Sequence, residues 1–289
     1  MADEALAQRA DSSPVGKLSP SRASDFTTCP LLYRFRTIDR FPEPPSPATA
    51  RGTLVHLVLE RLFDVAAEMR TPQAAAGMID QAWQDLLARN PDYQIVHDEI
   101  PLSQWIAECE THINTYFRLE DPRAVEPTKR EEPVEVQISE DLLLRGFVDR
   151  IDIDEDGLMA VIDYKTGKAP PPAYEAKAMF QMKFYALVLW KQTGSIPKTL
   201  RLMYLGDGSV LEYTPDESDL NATQRRVSAL WAAIKRCMTT GDFPANPSAL
   251  CRFCNHHQHC PQQGGQLPPM PTQRTSSPTP DVEADSANA

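Results

Sequence analysis

Apolar and polar positions divide the chain into a helix-rich first half and a strand-rich second half. Ser19-Pro20-Ser21 followed by residues 23–35 predicts a capped helix carrying Cys29 within it or at its edge. Residues 41–47 are proline-rich and read as a loop. Over residues 48–69, Leu54, Leu57, Val58, Arg61 and Leu62 recur at helical spacing. Two or three further helices are expected between Pro72 and Leu119, burying Trp83, Leu86, Leu87, Trp105, Ile106, Ile113 and Phe117. From Glu132 the texture becomes strand-like: PVEVQIS, LLLRGFVDRIDI and GLMAVIDYK, the last two joined at the turn signal Asp154-Glu155-Asp156-Gly157. A helix over 174–191, strands over 199–204 and 210–213, and a helix over 219–238 complete the pattern. Helices flanking a small central sheet make the expected class α/β (α+β).

Composition sets bounds on this picture. A chain of 289 residues, 42% hydrophobic, can build a sizeable core, and its mean hydropathy of −0.40 is that of a soluble protein. The longest apolar stretch, residues 184–190, is far short of the roughly 20 residues a membrane span needs, so no membrane partner is expected. MADEALAQRADSSP lacks the basic-then-apolar order of a secretory signal, which makes the cytoplasm the expected compartment. There the six cysteines stay reduced, and grouped ones read as ligands before disulfides. Residues 1–16 and 263–289, rich in Ser, Pro, Asp and Ala without periodicity, read as disordered flanks of one domain over 17–262. That domain is expected to hold a helical insertion at about 71–120 and a core at about 132–215.

The net charge of −11 argues mildly against a nucleic-acid partner, but it is unevenly spread. Residues 121–160 hold twelve acidic and five basic side chains, whereas residues 164–205 hold seven basic and one acidic. Residues 17–40 add five basic against two acidic. The segment from Lys165 to Arg201, with Arg34, Arg36 and Arg40, therefore offers sites for phosphates.

The chemistry concentrates in Gly146-Phe-Val-Asp149-Arg-Ile-Asp152 and Val161-Ile-Asp163-Tyr-Lys165-Thr-Gly167. Side chains alternate along a strand, so Asp163 and Lys165 share a face while Ile162 and Tyr164 take the other. A simple hairpin would pair Asp149 with Ile162; a one-residue bulge, naturally at Gly157, would bring Asp149 opposite Asp163. Facing carboxylates repel unless a cation lies between them, and Mg²⁺ or Mn²⁺ suits such hard ligands. Lys165 on the same face could orient a metal-bound water or stabilise charge on phosphorus. Asp152 is a supporting candidate.

GFVDRID followed by VIDYKTG resembles the signature of the PD-(D/E)XK nuclease superfamily, and within it the RecB-like exonucleases. The resemblance implies a restriction-endonuclease-like core in which Asp149 and Asp163 bind the metal with the main-chain carbonyl of Tyr164, and Lys165 serves catalysis. Arg51-Gly-Thr-Leu-Val-His56 resembles the family's N-terminal helix, whose His is a metal ligand. Gln181-Met-Lys-Phe-Tyr185 resembles its Gln-x-x-x-Tyr motif, with both side chains on one helix face. Glu60, one turn beyond His56, reads as a supporting or plain surface acid.

Cys251-x₂-Cys254-x₅-Cys260 suggests a metal site needing one more ligand. In the iron–sulfur nucleases of this superfamily one cysteine precedes the core and three follow it. The resemblance therefore implies a [4Fe–4S] cluster on Cys29, Cys251, Cys254 and Cys260. Zinc with His256, His257 or His259 is the competing reading, and Cys109 and Cys237 read as buried apolar residues. Neither Gly16-Lys17 nor Gly167-Lys168 completes a phosphate-binding loop, so no helicase motor is expected within the chain. The resemblance, covering roughly residues 17–262, implies a DNA exonuclease acting on single strands or ends in repair or recombination, with a separate helicase subunit as partner. Within the superfamily the chain resembles AddB-type and CRISPR-adaptation nucleases; a CRISPR-adaptation-type nuclease and a non-catalytic DNA-binding module on the same fold are the alternatives.

Overall fold

The computed structural model describes residues 16–271. Its spine is β3 (Leu142–Ile153). β2 (Lys129–Ser139) runs antiparallel along one edge of β3 over nearly its whole length. On the other edge β1 (Gly16–Leu18) pairs in parallel with residues 142–144, and β4 (Met159–Lys165) pairs antiparallel with residues 150–153. β5 (Thr199–Tyr204) joins β4 in parallel after a helical crossover, and β6 (Ser209–Tyr213) closes the mixed six-stranded sheet as a hairpin.

Helices cover both faces. Strand alternation sends Val161 one way and Ile162 the other, and each meets its own core. Val148, Val161 and Leu202 pack with α1 (Pro20–Thr28), α7 (Glu175–Thr193) and α8 (Glu217–Thr240). Ile162, Tyr164, Met203 and Leu205 pack with α3 (Pro47–Leu62), α4 (Pro72–Arg89), the short α5 (Ile95–Glu99) and α6 (Leu102–Leu119). This double cover explains why β4 is buried at every position except Ala160. Three helices begin alike: Ser19, Ser46 and Thr71 each cap the N-terminus by accepting a backbone N–H, with proline following at the first helical position.

Four expectations need correction. The helix over 23–35 is broken, because Cys29 is extended (φ −161°) ahead of Pro30. α1 therefore ends at Thr28, and the short α2 (Pro30–Tyr33) and a wide π-type turn (Arg34–Asp39) follow. The helix over 48–69 stops at Leu62, and the chain after it is tied down by Arg70, whose guanidinium donates to the carbonyls of Val65, Pro122 and Val125. Gly16, expected in a disordered flank, lies in β1. Beyond residue 262 the chain folds back: Arg34 donates to Pro268 O at 2.6 Å and Met270 packs against the first core. The remaining flanks, 1–15 and 272–289, lie outside the described residues. Among the described residues, no helix is long and apolar enough to cross a membrane.

Candidate active site

The turn between β3 and β4 positions the carboxylates. Gly157 adopts a left-handed conformation (φ +77°) that costs a side-chain residue strain but glycine little. Gly157 N donates to Asp154 O, and Asp154 N to Leu158 O, which makes a loop one residue longer than a tight two-residue turn requires. The ladder then pairs Arg150 with Ile162. Continued by one step, that register sets Asp149 across from Asp163, the juxtaposition a one-residue bulge predicts. Backbone pairing stops there: Tyr164 N donates at 2.7 Å to Asp149 Oδ2 instead of to a main-chain carbonyl. A side-chain carboxylate thus replaces a rung of the sheet.

Asp163 is 2% exposed and Lys165 9%. Lys165 Nζ lies 2.7 Å from Asp163 Oδ2 and donates to Gln181 Oε1 at 2.9 Å. Gln181 Nε2 donates to Asp163 Oδ1 at 3.0 Å and to the Tyr185 hydroxyl at 3.2 Å. Gln181 on α7 therefore bridges the acid and the lysine, while Tyr185, buried one turn on, braces Gln181. Burial pushes the Asp163 carboxyl up to about 6 against the pull of Lys165, and the neighbouring charge of Asp149 adds to the rise.

Gly146 makes room for this brace. A Cβ there would sit 2.6 Å from the Tyr185 ring. Gly146→Ala should destabilise the fold by about 1–3 kcal/mol and loosen Gln181, read as a lower denaturant midpoint at unchanged slope. A midpoint equal to wild type would mean that Tyr185 has freedom to move aside.

His56 arrives from α3 on the other side of the break. Its Nε2 donates to Tyr164 O at 2.9 Å, while its Nδ1 faces Asp149 Oδ2 at 3.5 Å and Glu131 Oε1 at 3.9 Å with no hydrogen-bond partner. The structure thus brings together His56, Asp149, Asp163, Tyr164, Lys165, Gln181 and Tyr185. It adds Glu131, which sequence reasoning missed by starting the strand at Glu132 instead of Lys129. Glu60 lines the small cavity beside His56 and Glu131. Asp152 does not join: it bonds Arg150, which lies buried between Glu120, Asp152 and the Tyr164 hydroxyl. Arg34 and Arg36 also leave the phosphate-contact set. Arg34 is buried against Asp39, and Arg36 is held by Asp25 and Glu43. Lys183 pairs with Asp219 and Arg201 with Glu212, whereas Arg40, Lys168 and Lys177 are exposed.

Cys29, Cys251, Cys254 and Cys260 line a separate cavity between the N-terminal helices and the C-terminal segment. Asn246 N points at Cys29 Sγ and Ser248 N at Cys251 Sγ. The nearby imidazoles are engaged elsewhere: His256 with Glu43, His257 with Cys251 O, and His259 stacked on Phe41. Cys109 is fully buried, as expected, and Cys237 is half-buried.

Residues 17–261, which hold both the carboxylate site and the cysteine cavity, match the family model of the PD-(D/E)XK nuclease superfamily. The chain belongs to that superfamily. The mixed sheet with helices on both faces is its restriction-endonuclease-like fold. Two phage proteins resemble this PD-(D/E)XK chain over most of its length. The Gene 69 protein of Mycobacterium phage L5 is 23% identical over 287 residues, covering 84% of this chain and 95% of its own. The Gene 69 protein of Mycobacterium phage D29 is 22% identical over 270 residues, covering 84% and 96%. A solved structure from Eubacterium rectale, described as an inferred exonuclease, superposes with a TM-score of 0.55 at 14% identity over 88% of this chain and 91% of its own. At that identity the likeness shows the fold alone.

Proposed function

We propose that this PD-(D/E)XK protein is a metal-dependent DNA exonuclease that processes single strands or ends in repair or recombination. One observation carries the reading: where β3 and β4 part, the buried Asp149 and Asp163 carboxylates stand on neighbouring strands, His56 Nδ1 facing the first at 3.5 Å without a hydrogen-bond partner and Lys165 Nζ beside the second at 2.7 Å. One ammonium does not compensate two buried carboxylates, so the donors fit a hard divalent ion. Asp149, Asp163 and His56 Nδ1 would hold it, and Tyr164 O, which accepts from Nε2 on the opposite side of the ring, would fix that imidazole instead of ligating the same ion. Bound there, Mg²⁺ or Mn²⁺ would polarise a phosphodiester and lower the pKa of a coordinated water. Lys165, fixed by Asp163 and Gln181, would orient the attacking water and neutralise charge building on the phosphate oxygens. Gln181 holds acid and lysine in one geometry, and Tyr185 limits its rotation. Exposed Arg40, Lys168 and Lys177 are the candidates for phosphate contact. Such an enzyme would draw unwound strands from a separate helicase subunit.

Protons and the metal compete for Asp163. Above about pH 6 the carboxyl is ionised and no longer competes; below it, protonation of Asp163 should by itself lower affinity by about tenfold per pH unit. Calorimetric titration with Mn²⁺ at several pH values reads this directly. Affinity independent of pH down to pH 4.5 would remove Asp163 from the ligand set.

The four-cysteine cavity supports the reading of a [4Fe–4S] cluster that would tie the two ends of the domain together. Among the described residues it does not bring three sulfur or imidazole ligand atoms within 4.8 Å of one another. One tetrahedral zinc would need sulfurs about 3.8 Å apart, given Zn–S bonds near 2.3 Å. Protein purified without air should be brown with about four iron per chain, and Cys254→Ser should lose colour and iron. Stoichiometric zinc without iron would reverse this assignment.

Exonuclease action is tested with linear and circular single-stranded DNA in Mn²⁺. Degradation confined to the linear form is expected. Equal cleavage of the circle would make the enzyme an endonuclease.

A further inference from the structure

Resting on the metal-site reading above, we propose that Glu131 is a further side-chain ligand of the divalent cation, reached from β2 on the far side of Asp149 from Asp163. The backbone carries the first argument. Arg130 pairs with Arg150 and Glu132 with Val148, so Glu131 stands across from Asp149, where the β2–β3 ladder skips a pair. At that position Glu131 adopts φ +43°, a left-handed conformation that side-chain residues rarely hold inside a strand. Such strain persists where the surrounding structure enforces it, and it concentrates at functional sites.

The side chains carry the second argument. One ligand atom from each of His56, Glu131 and Asp149 lies within 4.8 Å of the other two. His56 is 8% exposed, and its Nδ1 has no hydrogen-bond partner while facing both carboxylates. Nε2 donates to Tyr164 O, the arrangement by which a ligating histidine fixes its tautomer and aims the other nitrogen at a metal. The unpartnered Nδ1 and the two carboxylates face one small cavity, which Glu60, Tyr164 and the guanidinium-bearing Arg130 and Arg150 also line. Glu131 thus extends the His56–Asp149 donor set with a second carboxylate independent of Asp163.

The test is Mn²⁺ binding to the full chain, followed by calorimetry and by the electron spin resonance of the free ion. Glu131→Gln should weaken Mn²⁺ binding by at least about tenfold. Glu131→Gly removes the ligand and also relieves the left-handed strain. It should melt at or above the wild-type temperature without metal, yet show the same loss of affinity. Wild-type affinity in both variants overturns the assignment. Asp149→Asn separates this from the larger reading. If Asp149→Asn loses binding and the Glu131 variants do not, only Glu131 fails; if all three bind normally, the metal site itself is misplaced.

Discussion

Asp163→Asn is expected to lower metal-dependent DNA cleavage by about 10³-fold, the scale of losing several kcal/mol of charge stabilisation in the transition state. Asparagine has nearly the same shape, and its carbonyl oxygen can still accept from Gln181 Nε2, the bond now made to Asp163 Oδ1. Asn Nδ2 would replace Oδ2, which Lys165 Nζ now faces at 2.7 Å, so the ammonium turns to Gln181 Oε1, the acceptor it already holds. Packing should therefore survive, and the circular dichroism spectrum should match wild type. What is lost is a negative charge held at a position where burial disfavours it, which a structural role alone would not require. Mn²⁺ affinity should fall together with turnover. Wild-type turnover in a folded Asp163→Asn protein would place the chemistry elsewhere.

Lys165→Met should separate binding from catalysis. Turnover is expected to drop by about 10²–10³-fold, as when one donor to a developing oxyanion is removed. Mn²⁺ affinity should instead hold or improve, because Asp163 loses the ammonium now 2.7 Å from its Oδ2 and becomes more available to the metal. Methionine preserves most of the buried stem, so a collapsed fold is not the expected result. Loss of metal binding in parallel with turnover would make Lys165 a structural counter-ion for Asp163 and nothing more.

Much of this site was legible because its chemistry sits on regular elements. Alternation along Val161-Ile162-Asp163-Tyr164-Lys165 assigned the two faces, and the left-handed preference of glycine placed the extra residue at Gly157. Helical spacing put Gln181 and Tyr185 on one side of α7. Glu131 was hidden for the opposite reason: a non-glycine residue at positive φ inside a strand leaves no mark in composition or period. Residue type alone misassigned Arg34 and Arg36, since a sequence shows a charge but not the carboxylates that fold onto it. Pro30 did carry a signal, and it marked the break after Cys29 that a purely periodic reading ran through. Double helical cover of β4 had a visible trace in the continuous apolar texture around Asp163. Which helices supply that cover depends on long-range packing that no local pattern encodes.

Loss of end-labelled single-stranded DNA with time, in Mn²⁺ or Mg²⁺ and again with chelator, compared among wild type, Asp163→Asn and Lys165→Met, reaches the central claim most directly. The wild-type protein should shorten the strand only when metal is present, with both variants slower by at least about a hundredfold. Three proteins degrading DNA at one rate, or a wild-type rate untouched by chelator, would contradict a metal-dependent nuclease centred on Asp149, Asp163 and Lys165.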